Sequence, residues 1–139
     1  MYIDTSAFVK LYVSEPDSEA CESVVAGQTL VSSRLLSCEF RSALLNKESR
    51  AVISRETRDE TWLRFQQDLA REMVVLVPLD DRIVAEAQEI MDSLFPDVPL
   101  RTLDALHLST YVGIESGPFF SNDQRILRAA RMLGLNLAN

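Results

Sequence analysis

Histidine occurs once and cysteine only twice in this chain of 139 residues. Cys21 and Cys38 stand at no zinc or redox spacing, so they read as reduced, partly buried thiols of a cytoplasmic protein, with no disulfide. No apolar run approaches the length needed to cross a bilayer. The opening Met1-Tyr2-Ile3-Asp4 lacks the basic region and apolar stretch of a signal peptide, which argues against export and for a cytoplasmic location. Repeats, low-complexity tracts and Gly/Ser linkers are missing too, so residues 1–139 are expected to form one domain. What is present is ordinary for such a domain: 47% apolar and 25% charged residues, enough to bury a core without staples.

The net charge of −7 argues at first against a nucleic-acid partner, because phosphate binding is driven by Lys and Arg. Its distribution weakens that objection. Between Glu56 and Asp92 stand ten acids and four bases, which account for most of the negative excess. Outside that stretch the bases gather, with Arg34, Arg41, Lys47, Arg50 and Arg55 in one region and Arg101, Arg125, Arg128 and Arg131 in another. If several of the remaining acids hold divalent cations, they cease to repel phosphate. Composition therefore leaves the partner open.

Along the chain, Tyr2-Ile3 reads as a very short strand. A helix from Ala7 to about Val13 follows, ended before Pro16. Asp17-Ser18-Glu19 opens a second helix that Gly27 stops, and Thr29–Val31 reads as a second strand. Longer helices are expected over Arg34–Arg50 and Ser54–Glu72. The β-branched run Met73–Val77, closed by Pro78, reads as a buried strand. Asp80 begins an amphipathic helix to about Leu94, and Pro96 and Pro99 mark a loop. Thr102 is the expected cap of a helix to Val112, and Gly117-Pro118 turns into strand Phe119–Ser121. A last helix follows Asp123 and stops near Gly134, and Leu135–Leu137 suggests a final short strand. Strands alternating with helices indicate an α/β fold around a mainly parallel sheet, and such sheets bind ligands beyond the carboxyl ends of their strands. Asp4 and Asp123 both stand at such ends.

Two other acids fall where the pattern wants apolar residues. At ~100° per residue, Leu35, Leu36, Phe40, Ala43 and Leu44 cover one arc, and Glu39 lies inside it. Asp104 falls between Leu108 and Tyr111 in the apolar arc of the helix after Thr102. Each acid alone has a structural account. Glu39 suits a core boundary, bonded to an Arg or a backbone group; Asp104 suits a first helical turn, where the dipole favours it. Asp4 and Asp123 suit helix caps. Together the four can converge on one crevice. Carboxylates without thiolates favour Mg²⁺ or Mn²⁺, and phosphodiester hydrolysis is the natural chemistry of such a site.

Four segments then match a known family in order and spacing: Tyr2–Tyr12 (YIDTSAFVKLY), Ser37–Leu44 (SCEFRSAL), Leu100–Leu108 (LRTLDALHL) and Phe120–Leu127 (FSNDQRIL). Over essentially its whole length the chain resembles PIN-domain nucleases, and more narrowly the VapC-type toxins of toxin–antitoxin systems. The resemblance implies a PIN-like fold, a central mainly parallel sheet in three α/β/α layers. It implies that Asp4, Glu39, Asp104 and Asp123 are the catalytic, metal-binding quartet, with Ser6 and Ser121 supporting it and Mg²⁺ or Mn²⁺ as cofactor. It further implies endonucleolytic cleavage of RNA to a 5′-phosphate and a 3′-hydroxyl, and a homodimer inhibited by a cognate antitoxin protein. DNA is touched only through that antitoxin, and no membrane is involved. Alternatives with the same residues are an RNA-processing nuclease without an antitoxin and a non-catalytic RNA-binding protein. His107, one turn beyond Asp104, reads as a helix-packing residue that neither holds metal nor supports the acids. Trp62, Phe65 and Leu69 read as core or dimer contacts. Arg125, Arg128 and Arg131 read as a solvated face, with contact of one or two of them to RNA phosphate as the alternative.

Overall fold

The computed structural model describes residues 1–114 and 117–138. Four parallel strands, β1 (Tyr2–Ile3), β2 (Leu30–Ser33), β3 (Val74–Val77) and β4 (Phe119–Phe120), form a sheet in the order β3-β2-β1-β4. Among the described residues seven α-helices accompany it: α1 (Thr5–Phe8), α2 (Ser18–Val25), α3 (Leu35–Ser49), α4 (Arg55–Ala70), α5 (Asp81–Leu94), α6 (Thr102–Val112) and α7 (Gln124–Met132). A 3₁₀ turn, Val9–Leu11, continues α1.

Successive strand residues point to opposite faces, and the two central strands use this to divide the core. Ile3 and Phe120, in register, join Phe8, Phe40, Leu44 and Phe65 in one buried cluster beneath α1 to α4. Their neighbours Tyr2 and Phe119, also in register, join Ile90, Leu94, Leu108, Tyr111 and Ile126 beneath α5 to α7. Helices on both faces of a parallel sheet make the expected three-layer α/β/α arrangement. In the first cluster Phe40 sits among the rings of Phe8, Tyr12, Trp62 and Phe65 at centroid separations of 5.2–6.3 Å. Trp62, Phe65 and Leu69 thus serve the core.

Several local expectations need correction. The first helix begins at Thr5 rather than Ala7, because Asp4 caps it through the amide of Ala7 at 3.1 Å. Strand β2 runs two residues past Val31, since its ladder with β3 continues through Ser32↔Leu76 and Ser33↔Val77. Strand β3 is an edge strand rather than a buried one: Val74 is covered, whereas Val75 is exposed. Thr102 is not a cap. The Arg101 carbonyl accepts the Ala105 amide at 3.0 Å, which puts Arg101 in the cap position without a side-chain bond. Leu135–Leu137 contributes a single parallel bridge, Phe119↔Leu137. Cys38 is exposed and only Cys21 is buried, both as free thiols. No helix among the described residues is long and apolar enough to cross a membrane.

Candidate active site

The pairing Ile3↔Phe120 makes Asp4 and Ser121 the next residues along two adjacent parallel strands, so their side chains leave the sheet together at its carboxyl end. Ser121 Oγ donates to Asp4 Oδ2 at 2.7 Å, and Ser6 Oγ lies 2.8 and 2.9 Å from the two Asp4 oxygens. The two hydroxyls also tie down the chain after β4, for the Asn122 amide donates to Ser6 Oγ and the Asp123 amide to Ser121 Oγ, both at 3.0 Å. Asp4 itself is buried. Burial raises its pKa above the usual carboxyl value, a rise that His107, Ser121, the Ala7 amide and Ser6 only partly oppose. Ser6 and Ser121 therefore stand where a carboxylate needs support.

Glu39 projects from the flank of α3, to one side of buried Leu36 and Phe40. Its partners are neither an arginine nor a backbone group. Thr5 Oγ1 donates to Oε2, and His107 Nε2 lies 2.8 Å from the same oxygen. Burial pushes the Glu39 carboxyl upward, but the hydrogen bond and electrostatic attraction of His107, with the hydrogen bond of Thr5, outweigh it and leave the group below its ordinary range. His107 is buried on α6, as expected for a packing residue, and its Nδ1 lies 2.9 Å from the hydroxyl of buried Tyr2. The expectation that it supports none of the acids is overturned. Thr5, Tyr2 and this second role of His107 were missed. Thr5 had one available signal, its place beside Asp4; the His107–Glu39 contact joins residues 68 positions apart and has none.

Asp104 lies in the first turn of α6 and Asp123 caps α7. Asp123 Oδ1 accepts the Arg125 amide at 2.7 Å. Burial raises the Asp104 pKa, and the negative charge of Asp123 raises it further; Arg101 and Arg125 oppose the rise. The two acids are thus electrostatic neighbours, with two arginines beside them. Asp104 Oδ2 is buried without a hydrogen-bond partner among the described residues. An unpaired buried carboxylate oxygen is costly unless a cation or proton reaches it.

Among the described residues no three His, Cys, Asp or Glu side chains close into a ready-made cage for an ion. Asp4 and Glu39 each interact with His107, and Asp104 with Asp123; carboxylate oxygens are hard donors of the kind Mg²⁺ and Mn²⁺ take together with water. The four acids do not line the cleft of about 710 Å³ bounded by Tyr12, Val25, Arg64, Arg71 and Met73.

The parallel sheet covered by helices on both faces is that of a PIN domain, whose family model matches residues 1–132. The chain belongs to the PIN-domain family and, within it, to the VapC type. It is 34% identical over 138 residues to Ribonuclease VapC46 of Mycobacterium tuberculosis (strain ATCC 25618 / H37Rv), an alignment covering 97% of this chain and 93% of that relative.

Proposed function

We propose that residues 1–139 form one PIN domain acting as a divalent-metal-dependent endoribonuclease, the toxin of a toxin–antitoxin pair. The observation that carries the reading is Asp104 Oδ2, a buried carboxylate oxygen without a hydrogen-bond partner among the described residues, beside the negative charge of Asp123. A cation offsets the cost of both. The name of the M. tuberculosis relative supports ribonuclease activity.

In this reading Asp4, Glu39, Asp104 and Asp123 hold Mg²⁺ or Mn²⁺. The bound cation supplies a Lewis acid that lowers the pKa of water and offsets charge growing on a phosphate oxygen. The protein's part is placement. Ser6 and Ser121 fix Asp4, and Thr5 and His107 fix Glu39, so that the carboxylates need little reordering to meet the cation. The exposed guanidinium groups of Arg101 and Arg125, close enough to act on Asp104, are suited to receive the RNA phosphates that flank the scissile bond. The same acidic site is where the tail of an inhibitory antitoxin enters with a basic side chain. A cytoplasmic homodimer, joined to DNA only through the antitoxin, completes the proposal.

The test is to purify the chain free of any partner and incubate it with total RNA and Mg²⁺ or Mn²⁺. Wild type is expected to cleave, whereas Asp4→Asn and Asp104→Asn are not, and EDTA is expected to stop the reaction. Equal cleavage by all three proteins, or cleavage that survives EDTA, would sink the assignment.

A further inference from the structure

Glu39 Oε2 carries two contacts, from Thr5 Oγ1 and from His107 Nε2, while no donor among the described residues reaches Oε1. An ionised carboxylate only accepts, so the ring nitrogen at 2.8 Å must carry the proton of that bond. On the far side of the ring Nδ1 faces the Tyr2 hydroxyl at 2.9 Å, a group able to donate to a bare nitrogen or accept from a protonated one. Tyr2 and His107 are both nearly sealed from solvent, at 0% and 3% exposed. The chain of contacts Tyr2–His107–Glu39 thus runs from the sheet, through α6, to a carboxylate on α3.

We propose that Tyr2 and His107 are positioning residues for the cation: Tyr2 holds the imidazole from one side, the imidazole locks one oxygen of Glu39 from the other, and the second Glu39 oxygen is left for the cation. This rests on the metal-dependent reading above and deepens it, since it assigns a role to residues that do not themselves touch the ion. Partners of this kind behind a ligating side chain typically change metal affinity by about 10–100-fold when lost. A histidine that merely filled space would be replaced without such a penalty by any side chain of similar volume.

His107 is the sole histidine, so its imidazole can be read without assignment from long-range ¹H–¹⁵N spectra of the cation-free protein. The proposal expects a ring protonated at Nε2, with the Nδ1 resonance moving when Tyr2→Phe removes the hydroxyl and the Nε2–H resonance moving in Glu39→Gln. A ring protonated at Nδ1 alone would overturn it. The second arm titrates Mn²⁺ by calorimetry into wild type, His107→Leu and His107→Gln, with Asp104→Asn as the control for a lost ligand. His107→Leu should bind about tenfold more weakly, and His107→Gln, whose amide nitrogen reaches the same place, should recover most of that loss. Wild type that binds Mn²⁺ while His107→Leu binds it equally well contradicts the positioning role alone. Wild type that binds no Mn²⁺ overturns the metal reading and this proposal with it.

Discussion

Ser121 Oγ donates to Asp4 Oδ2 at 2.7 Å, joining residues 117 positions apart at the ends of two paired strands. The bond follows from register alone, because Ile3 stands opposite Phe120 and the next residue on each strand leaves the sheet at the same level. Strand pairing therefore places the support beside the carboxylate.

Replacement of Ser121 by Ala removes that donor and also the acceptor of the Asp123 amide. A buried hydrogen bond contributes about 1 kcal/mol, and hydrogen bonds to charged groups about 1.5–3 kcal/mol. Ser121→Ala should thus lower stability by a comparable amount and weaken Mn²⁺ binding roughly tenfold. Denaturant unfolding and calorimetric titration measure the two effects separately.

Asp104 behaves in the opposite way. Burial, aided by Asp123, raises its carboxyl above 3.8 in the fold. A carboxyl raised on folding contributes stability in full below its unfolded pKa and loses that contribution as pH rises through the folded value. At neutral pH the cation-free protein therefore bears the cost of this charge, and Asp104→Asn relieves it. The variant should melt higher than wild type at pH 7 without metal, with the gap shrinking as pH falls toward 4. Added Mn²⁺ should raise the melting temperature of wild type and leave the variant unmoved.

These relationships were unequally visible in the amino-acid sequence. Asp4 and Asp123 stood at strand ends, and Glu39 and Asp104 interrupted apolar arcs; each alone also suited a cap or a core boundary, and only the four matched segments singled them out together. The alternation of Tyr2 with Ile3 and of Phe119 with Phe120 divided the core between two faces, as period-two strands must. The strand Val74–Val77 misled because a β-branched run reads alike whether its strand is central or, as here, at the edge. The Tyr2–His107–Glu39 chain was invisible because it depends on how α3 and α6 come together around β1, and no local spacing encodes that. His107 looked like a packing residue because it is one. Its second role appears only once both ring nitrogens have partners.

Arg101 and Arg125 both act electrostatically on Asp104, which sets them at the rim of the acidic site within a chain of net charge −7. If each meets one RNA phosphate, Arg125→Ala should weaken RNA binding for all sequences alike and reduce the salt dependence by about one counterion. The same change at Arg131, exposed near the far end of α7, should have little effect. Filter binding of a labelled RNA across a salt series, with Ca²⁺ replacing the active metal, distinguishes them.

If carboxylate-held metal hydrolyses RNA, the chemistry of the cut ends records it. A single end-labelled RNA is cleaved by the purified protein with Mn²⁺, and the termini are mapped by their susceptibility to phosphatase and ligase. Attack by water predicts a 5′-phosphate and a 3′-hydroxyl, with no product in EDTA or from Asp104→Asn. A 2′,3′-cyclic phosphate, formed by attack of the RNA's own 2′-hydroxyl and persisting in EDTA, would contradict the account.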